Sequence, residues 1–320
     1  MAKHGKIRTN VEYGAARTLL GGLGLLPRPL ALAVGRAIGR IVYNLGGKLR
    51  RTGERNLELA LPRLGEDERA RILRGCFANL GRLLGEFSHL PRASPESLRR
   101  IIECEGLENL DAARKDGRGV ILFTGHLGAW ELSSFALSAF GYPMSFLARR
   151  IDNPKVEELI ERTRTRFGNR SIDKRSAARP MLRALHAGGI VGILVDLNTH
   201  PHEAVFVDFF GIPASTTSGL ATLALRTGSM VLPVFIPWDE ERGRFVLRVD
   251  APLEIKPSGD DAEDIRRLTA LFTSTIESYV RRFPDQWLWI HRRWNTRPAG
   301  EANFYATPSP GRLERQTEQF

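Results

Sequence analysis

The chain has 320 residues, 42% of them hydrophobic, with a formal net charge of +11 and two cysteines. That length and apolar content suffice to bury a sizeable core, which excludes a disordered protein and leaves one large domain or a domain with an appended helical region. Cys76 and Cys104 fit neither a zinc motif nor a disulfide framework, so they read as small buried apolar residues suited to a reducing compartment.

The charge is concentrated at the start, where residues 1–51 hold ten Lys or Arg against one acid, Glu12. Such a segment wants a polyanion, either nucleic acid or an anionic lipid surface, and its hydrophobicity favours lipid. Thr18 to Pro27 and Pro29 to Gly35 carry no charge, but Arg28, Arg36 and Arg40 break the run well short of the roughly 20 apolar residues of a membrane span. Two helices meeting near Pro27 and Pro29, with Arg on one face and Leu, Ile or Val on the other, suit a helix lying in a membrane interface. An amphipathic helix packed on the domain would read the same way. No small-residue cleavage site follows, which argues against a secretory signal.

Glu66 to Leu90 places Ile72, Leu73, Cys76, Phe77, Leu80, Leu83, Leu84 and Phe87 at helical spacing and predicts a core-facing helix. Ser94-Pro95 is a cap followed by proline in the first turn. From Ile101 onward, apolar strands near Ile101, Val120, Met144, Ile190, Val205, Val231 and Phe245 alternate with helical patterns. That alternation predicts an α/β layered fold with a mostly parallel central sheet flanked by helices, preceded by N-terminal amphipathic or hydrophobic helices. Asn153-Pro154 starts a further helix, and Asp260 with Glu263 starts the last long one. No internal repeat is present. Ala299 to Phe320, rich in Pro, Gly, Glu, Gln and Arg, reads as a flexible tail. The division is 1–51 basic and membrane-associating, 52–298 the main domain, and 299–320 the tail.

The most informative run is Val120 to Glu131, an apolar strand that breaks at Gly125 and delivers His126 where strand passes to helix. Within one regular helix the five-residue step to Glu131 would turn the two side chains about 140° apart. His126 must therefore precede the helix if Glu131 is to hold its Nδ1 proton and leave Nε2 as a general base. A helix-entry histidine beside a solvated first-turn acid would have the same spacing. Backbone N–H groups near Leu127 and Gly128 are candidate oxyanion donors.

Arg149 and Arg150 end a strand, where an arginine takes a phosphate bidentately or simply faces solvent. Asp196 ends the strand Ile190 to Val195 at the sheet's carboxyl edge, as a site acid or a turn residue. Gly211 to Gly219 is read as opening a helix through Arg226, with Thr216 among the hydroxyls that would favour an anion there. Asp196, His200, His202, Glu203 and Asp208 form a polar cluster, but no ligand spacing completes a metal site, so no metal is expected. Trp287, Trp289, Trp294, His291, Arg292 and Arg293 suggest a lipid interface or a dock for an acidic carrier, with at least one tryptophan in the core. No Gly-x-Ser-x-Gly elbow, phosphate loop or dinucleotide fingerprint appears.

Asn56 to Ala60, Gly119 to Glu131, Asp152-Asn153-Pro154, Phe209 to Ala214 and Gln286 to Trp294 occur in an order and spacing that resembles the bacterial lipid A biosynthesis acyltransferases, within the wider group with a His-x4-acid motif. The resemblance runs from about Tyr13 to Trp294. It implies acyl transfer from acyl carrier protein to a hydroxyl of a Kdo-bearing lipid A precursor at the cytoplasmic face of the bacterial inner membrane, without a cofactor. It assigns the His-x4-acid signature to His126 and Glu131 as catalytic residues, and substrate contact to Arg149; from their places in the chain, Asp196, Gly128 and Thr216 are further substrate-binding candidates. The family typically has Asp-Gln where this chain has Asp196-Leu197, and its members often carry an N-terminal transmembrane anchor, which is not expected from the interrupted apolar run here. A lysophospholipid or another glycolipid, such as a phosphatidylinositol mannoside, would serve the same motif as acceptor. A non-catalytic basic module binding membrane or nucleic acid is the alternative of another class, with nucleic acid not expected as a partner.

Overall fold

The computed structural model describes residues 5–200 and 204–306. Its helices and strands are built around one eight-stranded sheet of order β1-β10-β8-β2-β5-β3-β4, with β9 paired to β10. The centre is β2 (Val120–Thr124), flanked by β5 (Ile190–Leu194) and β8 (Met230–Phe235), both parallel to it. All five residues of β2 are buried, as expected of an apolar run covered on both faces. Beyond β5 lie β3 (Ser145–Ala148) and β4 (Arg170–Asp173), again parallel. On the other side β10 (Arg244–Val249) runs antiparallel to β8 and to the short β9 (Trp238–Asp239), and pairs in parallel with β1 (Ile102–Glu105). The predicted α/β layering with a mostly parallel sheet is the observed one.

Two strand expectations change. Arg170–Asp173, with its polar Arg-Ser-Ile-Asp sequence, forms the edge strand β4, although nothing in its hydropathy alternates as a strand's would. The strand expected near Val205 lies outside the main sheet, as β6 (Ala204–Phe209) of a hairpin with β7 (Ile212–Thr217). Its two-residue loop, Phe210-Gly211, has φ of 56° and 73°, the paired positive values of a type I′ turn. Ile212–Thr217 is therefore strand, and the helix α10 begins only at Gly219, running to Thr227.

One face of the sheet carries α5 (Pro95–Ile101), α6 (Leu107–Arg114) and α7 (Ser133–Ala139). The other carries α9 (Ala178–His186), α10, α11 (Asp261–Arg282) and the hairpin. Asn153 caps α8 (Pro154–Arg164) with its side chain, and Asp260 caps α11 in the same way. Trp287, Trp289 and Trp294 are all fully buried, packed against Phe209 and Phe210. Arg293 is buried with them, and only Arg292 of that cluster is exposed. The surface docking cluster expected of these tryptophans is thus core, because the hairpin folds over it.

The N-terminal helices α1 (Lys6–Leu25), α2 (Arg28–Leu45) and α3 (Gly47–Ala60) precede α4 (Glu66–His89), and α2 lies along α4. The approach is close: a β-carbon at Gly35 would stand 2.1 Å from the Gly81 carbonyl oxygen. Away from that seam Ile7, Val11, Leu19 and Leu25 of α1 and Leu30, Ile41, Val42 and Leu45 of α2 are exposed. Among the described residues no helix is long and apolar enough to cross a membrane. In α3, Asn56 donates to the carbonyls of Trp289 (2.5 Å) and His291 (2.6 Å) and accepts from the Tyr305 hydroxyl (2.5 Å). Two segments far apart in sequence are tied there, and the residues that open the expected tail are docked on them.

Candidate active site

The register of the central strands builds the site. Thr124 of β2 stands opposite Leu194 of β5, so two residues further on the chain brings His126 level with Asp196 at the carboxyl ends of two adjacent parallel strands. The Asp196 carboxylate accepts from His126 Nδ1 at 2.7 Å and from the His126 backbone N–H at 2.7 Å. The Trp287 indole donates to it at 2.8 Å. Trp287 is delivered by its neighbours, since Leu288 N–H donates to the His126 carbonyl at 3.0 Å and Leu127 bridges to Trp287. Burial alone would raise the Asp196 carboxyl; the His126 ring and these N–H donors outweigh it and hold the group down at about 2. An ionised Asp196 fixes the His126 proton on Nδ1 and leaves Nε2 as the basic nitrogen.

The partner of His126 Nδ1 is therefore Asp196 and not the expected Glu131. Glu131 sits in a 3₁₀ turn, Trp130–Leu132, and makes a bidentate pair with Arg164 at the end of α8, at 2.7 and 3.0 Å. Burial works against the Arg164 charge, but the Glu131 carboxylate outweighs it and raises the guanidinium pKa further. Local spacing could not reveal this arrangement, because Asp196 and Arg164 are both supplied by distant segments. Asp196 was legible as a strand-end acid; Arg164 carries no signal beyond helical periodicity.

His126 and Glu131 open into a cavity of about 500 Å³. Its walls are apolar, including Leu122, Leu137, Met144, Phe146, Ile193 and Val234, while Arg149, Arg164, Lys174, Asn198, Thr199 and His291 add polar groups. The cavity exists because two strands part. Pairing between β3 and β5 comprises only Ser145 with Val191 and Phe146 with Gly192, so the carboxyl halves of the strands diverge. Arg149, just past β3, is exposed on the lining, whereas Arg150 pairs with Asp173 at 3.1 Å. His291 also lines the cavity, and its Nε2 accepts from the Asn198 N–H at 3.1 Å, which places its own proton on Nδ1. Burial lowers the His291 pKa to about 4.

Two expected substrate contacts are occupied by the fold. Gly128 has φ of 64°, and a β-carbon there would stand 2.1 Å from the Ile236 carbonyl oxygen. Its N–H donates to Gln286 O at 3.0 Å and its carbonyl accepts from Asn79 at 3.0 Å, while Leu127 N–H is bound to Gly125 O at 2.8 Å. Neither N–H is available as an oxyanion donor. Thr216 is buried in β7, where its hydroxyl donates to Ala214 O and accepts from Arg293. The anion-binding helix start expected around it is absent, because those residues are strand. Among the described residues no cluster of metal-ligating side chains forms; His202 and Glu203 lie outside the described residues.

Residues 9–296 match the family described as bacterial lipid A biosynthesis acyltransferase. The chain is similar to three proteins of Escherichia coli K12. It is 29% identical to the lipid A biosynthesis lauroyltransferase, over 88% of this chain and 90% of that one. It is 26% identical to the myristoyltransferase, over 89% and 87%. With the palmitoleoyltransferase the identity is 28%, over 89% and 93%.

Proposed function

Since this chain belongs to the bacterial lipid A biosynthesis acyltransferase family and is an acyltransferase of lipid A biosynthesis, we propose that it moves a fatty acyl chain from acyl carrier protein to a hydroxyl of a lipid A precursor, with His126 as general base. The observation that carries the reading is the buried Asp196 bound to His126 Nδ1 at 2.7 Å on the wall of a largely apolar cavity of about 500 Å³. The acyl chain of the thioester lies in that cavity. The acceptor oxygen attacks the thioester carbonyl while Nε2 takes the hydroxyl proton, and Asp196 stabilises the imidazolium. The C–S bond then breaks and the imidazolium returns the proton to the departing sulfur. No covalent enzyme intermediate is needed, and no cofactor takes part. General-base assistance supplies about 10²- to 10⁴-fold, with positioning and polar stabilisation adding the rest.

Arg149 serves the acceptor's phosphate, since its guanidinium is exposed beside the cavity. The Glu131 and Arg164 pair lines the same wall and presents fixed polar groups to the substrate. The exposed apolar residues of α1 and α2, within a segment that carries ten basic residues and one acid, support attachment to an anionic lipid surface by shallow insertion. We place that surface at the cytoplasmic face of the inner membrane.

The test incubates purified protein with a set of acyl carrier protein thioesters and a lipid A precursor, and identifies the product by mass. One added acyl group in an O-linked product, lost in His126→Ala, is the expected result. Near-wild-type turnover by folded His126→Ala overturns the mechanism.

A further inference from the structure

We infer that Met144, seated on Gly192, is the floor of the acyl cavity and sets the length of the chain this protein transfers. The inference rests on the reading of the cavity as the acyl site. Gly192 is the only glycine in the three central strands, whose sequences are Val-Ile-Leu-Phe-Thr, Ile-Val-Gly-Ile-Leu and Met-Val-Leu-Pro-Val-Phe. It pairs with Leu122 on one side and Phe146 on the other, so its missing side chain leaves a slot in the sheet face between two apolar residues. The Met144 ε-methyl fills that slot: a β-carbon built on Gly192 would stand 2.2 Å from it. All four residues line the cavity.

Along β2, β3 and β5 the cavity lining reaches from the carboxyl ends back to Leu122, Phe146 and Gly192. Past Gly192 toward the carboxyl ends β3 and β5 are unpaired and the cavity opens between them; at Gly192 they rejoin. Leu122, level with Gly192, lies four residues before His126, about 13 Å at the rise of an extended strand. An acyl chain whose thioester carbonyl meets His126 would thus run down to Met144. Leu122 and Val234 are held on paired strands, whereas Met144 precedes β3 and has an unbranched, three-bond side chain that can take other rotamers. Length is therefore adjustable at this residue with the least change to the sheet. The similar E. coli proteins are named for lauroyl, myristoyl and palmitoleoyl groups, acyl chains of different length.

Met144→Ala should lengthen the preferred chain. Gly192→Ala, whose methyl must push the Met144 terminus into the cavity, should shorten it, and the double variant should return toward the wild type. Met144→Leu keeps apolar volume with a shorter reach, and guards against loss of fold in the alanine variant. Two measurements apply. Equimolar acyl carrier protein thioesters from decanoyl to palmitoyl compete for one acceptor, and the product masses give the ratio of chain lengths. Free fatty acids of the same lengths compete for displacement of a fluorescent fatty acid from the protein, which needs neither donor nor acceptor. A change of about tenfold or more in the ratio for neighbouring lengths is expected, the discrimination typical of a methylene in an apolar pocket. Folded variants that keep the wild-type ranking in both measurements overturn the inference. Shifts in displacement without transfer by the wild type would uphold the floor and overturn the acyl-transfer reading.

Discussion

Asp196→Asn separates the observed dyad from the one that local spacing suggests. One carboxylate oxygen accepts from His126 Nδ1 at 2.7 Å, and the other accepts from the His126 backbone N–H at 2.7 Å and from Trp287 at 2.8 Å. An amide has one accepting oxygen. Placed toward Nδ1, it turns its NH₂ on two donors; reversed, it donates to Nδ1 and forces the imidazole proton onto Nε2, where no base remains. The same exchange in a serine-protease triad lowers kcat about 10⁴-fold, so a loss on the order of 10³- to 10⁴-fold in kcat with little change in KM is expected here. Stability changes as well. Holding the carboxyl at about 2, below its ordinary 3.8, corresponds to about 2 kcal/mol of folding free energy at neutral pH. Because the folded-state pKa is the lower one, this contribution is complete above 3.8 and is lost as pH falls toward 2. Steady-state acyl transfer and urea unfolding at pH 7 measure the two effects. Turnover by Asp196→Asn within about tenfold of the wild type, together with loss of turnover in Glu131→Gln, would refute the assignment and return the orienting role to Glu131.

Arg164→Ala leaves the Glu131 carboxylate unpaired in a half-buried site, and should cost about 1–3 kcal/mol in urea unfolding, with Glu131→Gln in the same chain recovering most of it. Asn56→Ala removes the two bonds donated from α3 to the Trp289 and His291 carbonyls and the one accepted from the Tyr305 hydroxyl, and is expected to lower stability by about 2–4 kcal/mol in the same assay. Burial lowers His291 from 6.5 to about 4, so the unfolded chain takes up the proton first and stability should decline as pH falls from about 6.5 toward 4; unfolding midpoints should show that slope, and His291→Gln should flatten it. Binding to vesicles containing anionic phosphatidylglycerol should exceed binding to zwitterionic vesicles in co-sedimentation, and replacing Leu25, Leu30 and Leu45 by Ser should weaken both; tight, steeply salt-dependent binding to nucleic acid with no preference for vesicles would contradict the lipid reading.

What the sequence determined by itself was local. Hydrophobic periodicity placed β2, β5 and the long helices because burial on two faces or on one stripe leaves its mark within a few residues. Capping side chains announced the starts of α5, α8 and α11, since each acts within its own first turn. The break at Gly125 put His126 at a strand end. The polar edge strand β4 was not legible, because an edge needs no apolar alternation once a neighbour supplies its hydrogen bonds. Only the tertiary structure decided which acid serves His126. The two residues are 70 positions apart, and parallel pairing of β2 with β5 brings them level, while Glu131, five positions away, is drawn to Arg164 from another helix. The tryptophan-rich run looked like a surface from its composition, and the β6–β7 hairpin made it core. The cavity itself comes from strands that part, which is a property of pairing and not of any one segment.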